Sequence, residues 1–144
     1  MAIRGRIAGP LFAALKVAWD AANLQARFPG GYVAGQRITR PARLPALQPW
    51  PLKEASDVIT NKGGVFDFNF EVGIVGETFE MATDWKLTKA LEDATFGITA
   101  NGAVTLDGGM RLLGFNNVAD GAHYVEQPPD LFICFVLFSA RIAQ

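Results

Sequence analysis

His123-x-x-Glu126 is a place where an imidazole and a carboxylate stand at a spacing that could share a metal ion or a proton. His123 is the only histidine, so a multi-histidine metal site cannot form, and a histidine-based nucleophilic triad would depend on this residue alone. Without further ligands nearby it reads as a surface or loop residue. Cys134 alternates within an apolar run, which buries its thiol and leaves it inert. A single cysteine excludes an intrachain disulfide and fits a reducing compartment. The glycine pairs at 30–31, 63–64 and 108–109 lack the Gly-Lys-Ser/Thr of a phosphate loop and read as turns. Glu92-Asp93 sits near a helix end, as a solvated face does, rather than as a paired general acid and base. The sequence therefore assigns no catalytic, cofactor-binding or metal-binding residue, and the expectation is a protein that is not an enzyme.

A second chemistry-bearing stretch is basic. Arg37, Arg40, Arg43, Trp50 and Lys53 are interleaved with Pro41, Pro45, Pro49 and Pro51. Proline lacks the N–H that a central strand donates, so residues 37–62 are expected to form an extended arm or sheet edge, pairing around Ala46 to Gln48. Such an arm either reaches onto a partner or lies as a surface loop. The isoelectric point of about 5.8 and the lack of a binding-module signature argue against a dedicated nucleic-acid reader.

The elements around these residues follow from periodicity. In "VFDFNFEVGIV", residues 65–75, Phe66, Phe68, Phe70, Val72 and Ile74 alternate with Asp67, Asn69, Glu71 and Gly73, the period of a strand. Gly76 ends it, and Thr78 caps a helix over 78–94 with Glu77 and Glu80 at its positive end. An earlier helix spans about 9–27, with Pro10 in its first turn, Leu11, Leu15, Ala18 and Ala22 on one stripe, and a stop at Phe28-Pro29-Gly30-Gly31. Tyr32 to Gln36 reads as a short strand and Met110 to Val118 as another that leads into a loop. "LFICFVLFSARIA" is apolar on both faces, so the C-terminal strand over 131–142 is central, covered on both sides or with one side in an interface. The fold class is α+β: a mainly antiparallel β-sheet with two helices packed on one face, plus the proline-rich extended arm.

The 144 residues are expected to form a single domain. Hydrophobic residues make up 50% and charged residues 19%, with 11 phenylalanines, a composition that suggests apolar surface buried against other chains. The longest apolar run, Leu131 to Phe138, is too short to span a bilayer as a helix, and no membrane association is expected. Lys16, Trp19 and Asp20 interrupt what would be the apolar core of a signal peptide, so the N-terminal segment reads as an amphipathic helix. Charge is uneven. Residues 1–62 hold nine Lys/Arg against three acids, net +6, and residues 63–144 hold four against eleven, net −7. The halves can attract each other within a fold or between neighbours, or the imbalance is ordinary solvated surface.

The order of these features resembles the small tail-terminator or tail-completion (neck) proteins of tailed bacteriophages. The resemblance runs over about residues 9–142: "LFAALKVAWDAANLQARFPGGYVAGQ", a proline-rich segment, "FDFNFEVGIVGETFEMATDWKLTKALEDA", "LDGGMRLLGFNNV" and a long hydrophobic strand. Residues 70–78 match the family's strand-to-helix centre, with Ile74-Val75 where an aromatic residue is usual, and Pro49-Trp50-Pro51 replaces a clean strand. The resemblance implies a virion subunit of the tail or neck, assembled in the host cytoplasm, forming a homo-oligomeric ring, commonly a hexamer. Such a ring caps the tail tube protein and joins it to a head-closure or connector protein while DNA passes through. It implies no cofactor. In that setting Asp67, Asn69 and Glu71 face the lumen or the next subunit, plain solvent being the general alternative, and Arg37, Arg40, Arg43, Trp50 and Lys53 form a partner-contact arm. Other phage structural roles, head closure or capsid cement, share this composition. A small-ligand enzyme or binding domain would instead place His123 and acids in a pocket.

Overall fold

A computed structural model describes the backbone of residues 3–34, 43–54, 60–62, 64–127 and 131–143, and the side chains of residues 7–33, 43–49, 64–116 and 131–143. In chain order the elements are α1 (Ile3–Ala21), β1 (Tyr32–Ala34), β2 (Ala46–Glu54), β3 (Thr60–Lys62), β4 (Val65–Gly76), α2 (Phe79–Ala82), α3 (Trp85–Phe96), β5 (Val104–Thr105), β6 (Arg111–Gln127) and β7 (Leu131–Ala143). The strands form one mixed sheet in the order β1-β2-β4-β7-β6-β5, with β3 also paired to β4. Only β1 and β2 run parallel. The architecture is the expected α+β, a mainly antiparallel sheet with helices on one face.

The alternation in β4 decides where the core lies. Phe66, Phe68, Phe70, Val72 and Ile74 are all buried, and β7 pairs antiparallel with β4 in twelve unbroken register steps, from Val65↔Ala143 to Gly76↔Phe132. Paired residues share a face, so Cys134, Val136, Phe138, Ala140 and Ile142 join the same apolar layer. Phe70 stacks on Phe138 at 5.5 Å, and Phe96 meets Phe138 edge-on at 5.9 Å. Each such phenylalanine contributes roughly 1.5–3 kcal/mol through burial.

The helices cover this layer. Ile7, Leu11, Leu15 and Trp19 recur at helical spacing on α1 and are fully buried, while Lys16, Val17 and Asp20 are exposed. The helix starts two turns earlier than expected, and Pro10 lies inside it. Ile7 packs into the core upstream of the proline, and Gly9 has no Cβ to strike the proline ring, so the helix runs through. It ends before Asn23, whose left-handed φ of 56° stops it short of the expected Pro-Gly-Gly turn. Trp19 Nε1 donates to Thr95 Oγ1 at 3.0 Å, and that hydroxyl donates to the Leu91 carbonyl at 2.7 Å, a buried link from α1 to α3.

The helix expected over 78–94 is divided. Thr78 Oγ1 accepts from the Met81 N–H at 3.1 Å and caps the one-turn α2; Asp84 Oδ1 then accepts from the Lys86 N–H at 2.9 Å and starts α3. Leu87, Leu91 and Ala94 of α3 are buried against the sheet.

Two expectations are corrected in the strands. Residues 46–54 of the proline-rich segment are not a free arm but strand β2, with β1 on one side and β4 on the other. The Ala46-to-Gln48 pairing is present, opposite Val75 to Gly73; the ladder then breaks and resumes at Lys53↔Glu71. The break falls on Pro49-Trp50-Pro51, where two residues have no N–H to donate, so the prolines are accommodated by a bulge rather than by an edge. Likewise β6 continues past Val118 to Gln127 instead of entering a loop, and its register shifts three times against β7. His123 therefore stands in a strand, opposite Phe135. Pro128 to Asp130, like residues 35–42 with Arg37 and Arg40, lie outside the described residues.

At the end of β4, a Cβ on Gly76 would stand 2.7 Å from the Ala82 backbone nitrogen, so α2 packs where only glycine fits. Gly76→Ala is expected to lower the unfolding free energy by about 1–3 kcal/mol in denaturant titration. At the other side Tyr32 donates to Asp20 Oδ1 at 2.8 Å, and burial, then this bond, raises its pKa. The folded chain thus holds the proton more tightly than the unfolded chain, and the stabilisation is complete below about pH 10 and lost as pH rises beyond it. Tyr32→Phe is expected to flatten the fall in stability as pH rises above about 10, measured by denaturant midpoints.

Candidate functional site on the outer sheet face

The sheet face turned away from the helices carries the odd-numbered residues of β4 and β7. Along β4 it runs Asp67, Asn69, Glu71, Gly73, Val75; along β7 it runs Arg141, Ser139, Leu137, Phe135, Ile133 directly opposite. The face is therefore graded. Val75, Ile133, Leu131 and Ala46 form a small buried cluster at one end, with Val33, Leu44 and Phe135 packed around it. Polar and charged groups occupy the other end.

At that polar end Arg141 Nε approaches Asp67 Oδ1 at 3.3 Å as a cross-strand pair, with both side chains well exposed. Asn69 is half-buried opposite Ser139, which in turn faces Asn116 of β6. Glu71 is only 5% exposed and stands opposite Leu137 on one side and Lys53 on the other. Arg111, exposed, is the register partner of Ala143 at the sheet's end. The three residues expected to form an acidic face do share one strand and one face. Arg141 pairs with Asp67 across the strands, so the face is not uniformly acidic, and the backbone register aligns Lys53 with Glu71.

Of the expected partner-contact residues, Arg43 is exposed in the bend before β2, and Trp50 and Lys53 lie on β2 itself. The alignment of Lys53 with Glu71 and of Arg141 with Asp67 could not be read from sequence, because it depends on a strand register set by a bulge and by pairs 74 residues apart. Cys134 is 3% exposed on the core face, and burial pushes its thiol pKa up, which disfavours the nucleophilic thiolate. Among the described residues, no three of His, Cys, Asp and Glu are grouped so as to hold a metal ion, and no helix is long and apolar enough to cross a membrane.

No protein-family model matches the chain, and no curated protein matches its sequence. The fold is similar to that of a chain in a solved structure described as the virion of a native gene transfer agent particle. The likeness has a TM-score of 0.66 and 22% identity, and covers 96% of this chain and 98% of that one.

The two acids on this face are expected to respond differently to truncation. Asp67→Ala changes unfolding free energy by less than about 1 kcal/mol, as exposed pairs do, and its effect shrinks with added salt. Glu71→Ala costs about 1–3 kcal/mol, because its carboxylate is buried among groups that would lose their partner. Denaturant titrations at low and high salt separate the two.

Proposed function

We propose that this chain is a structural subunit of a phage-like virion, and within that class a tail-terminator or neck ring subunit. The observation that carries the reading is the end-to-end likeness in fold to a chain of a gene transfer agent virion. It spans nearly the whole of both chains, so it concerns a complete arrangement of helices and sheet and not a shared motif. The resemblance in "FEVGIVGET" and the surrounding pattern narrows the proposal to the end of the tail tube, where a ring joins the tube protein to a head-closure or connector protein.

A ring of this kind acts by shape and charge, not by bond chemistry. Its subunits meet through heterologous contacts that close by rotation, and DNA passes through the centre. The outer sheet face, with Asp67, Asn69 and Glu71, lines that passage in this reading. On it the Arg141 guanidinium is held by the Asp67 carboxylate at 3.3 Å, which leaves that cation less available to phosphates sliding past. The proline-bulged β2 and the bend at Arg43 supply contacts to the tube or connector.

Imaging the purified protein tests the proposal. The expected particle is a closed ring of about six subunits with a central hole and with Asp67 on its inner wall. A trimer that decorates capsid shells would show a cement protein instead, and a ring with Asp67 on the outer rim would remove the lumen assignment.

A further inference from the structure

A groove of about 710 Å³ runs between the turn that follows α1, residues 22–27, and α3 from Trp85 to Ala94. Ala22, Leu24, Ala26, Ala90 and Ala94 give it an apolar floor. Its rim is cationic and aromatic. Arg27, Lys86 and Lys89 stand around it with Asp93, which is 3.3 Å from Lys89, so its charged groups sum to +2. Trp85 projects beside them with 67% of its surface exposed, although it is the first residue of a helix whose other large apolar residues turn inward. A floor for an apolar group, an exposed indole and a net positive rim together describe a site for an acidic segment with an aromatic anchor.

The same chain displays such a segment. Glu77, Thr78, Phe79 and Glu80 are all exposed at the corner between β4 and α3, and Phe79 leaves 46% of its surface in solvent. The corner is held by the Thr78 cap and by α2 packing on Gly76, so it is presented as a fixed shape rather than a mobile loop. It carries two carboxylates on either side of the ring. Of the groove's cations Arg27 comes from the basic first 62 residues, whereas Lys86 and Lys89 belong to α3, so the complementarity is local: a rim of net +2 against a corner with two carboxylates.

We propose that the groove framed by Arg27, Trp85, Lys86 and Lys89 receives the Glu77–Glu80 corner of a second copy of this chain, with Phe79 as the anchor. Each copy then carries both a receiving and an inserting surface, so association continues from copy to copy until it closes. This deepens the ring reading and rests on it: it names the surfaces through which the ring is joined.

Charge reversal tests it in the full-length protein by native mass spectrometry and light scattering. Trp85→Ser weakens self-association at least about tenfold. Lys86→Glu and Glu80→Lys each do the same alone, and mixing the two variants restores assembly with the copies alternating, because the groove of each variant then meets the oppositely charged corner of the other. All three positions are exposed, so circular dichroism and melting temperature stay close to those of the unaltered chain. If the three variants assemble like the unaltered chain, the proposal fails while the ring reading stands. If the unaltered chain is a monomer at every concentration, both fail; binding of a foreign acidic peptide by that monomer would give the groove to another partner.

Discussion

The twelve-step antiparallel pairing of β4 with β7 is the constraint on which the rest of this molecule depends. It joins a strand whose phenylalanines are all on even positions to one that is apolar on both sides. Because the register matches even with even, five residues of each strand form a single aromatic and aliphatic layer, and Phe70 and Phe138 stack at its centre. A slip of one residue would turn the β4 phenylalanines against the polar side of the sheet. The long-range pairing and the local alternation therefore support each other.

The other elements are attached to that layer in ways that follow from their chemistry. Helix α1 contributes a four-residue stripe and one buried hydrogen bond, Trp19 to Thr95, which lets a large indole enter the core without losing a partner for its N–H. The Tyr32 ring lies 5.7 Å from Trp19 and its hydroxyl reaches Asp20, tying the start of β1 to the end of α1. On the far side β2 keeps its place between β1 and β4 by suspending the ladder where its prolines cannot donate. Bulges in β6 serve a comparable purpose, letting a long strand curve while holding its pairing to β7.

The two surfaces left by this construction differ in character. The outer sheet face grades from a small apolar cluster to cross-strand pairs of opposite charge, whereas the helical side exposes Trp85, Phe79 and Val17 among charged residues. Neither surface gathers the residues of a catalytic centre among those described. A protein whose work is done by fitting against neighbours would distribute its chemistry in this way: aromatic anchors and charge at surfaces, and aromatic packing inside.

The sequence by itself determined the α+β class, the strand at residues 65–75, the Thr78 cap, the buried Cys134 and the double apolar character of the last strand. These features are local, since a period of two, a cap or an apolar run is written in neighbouring residues. Tertiary structure decided what depends on distant partners. Pro10 could stand within a helix because Ile7 finds core to pack on, and Pro49 and Pro51 could stand within a sheet because β4 on one side and β1 on the other hold the strand across the break. The face carrying Asp67 and Glu71 was legible as polar, but the pairing of Asp67 with Arg141 was not, because the arginine comes to it only through register. Trp85 was legible only as part of the helix expected over 78–94. That it borders a groove with Arg27 was decided by the packing of α1 against α3, two helices some sixty residues apart in the chain.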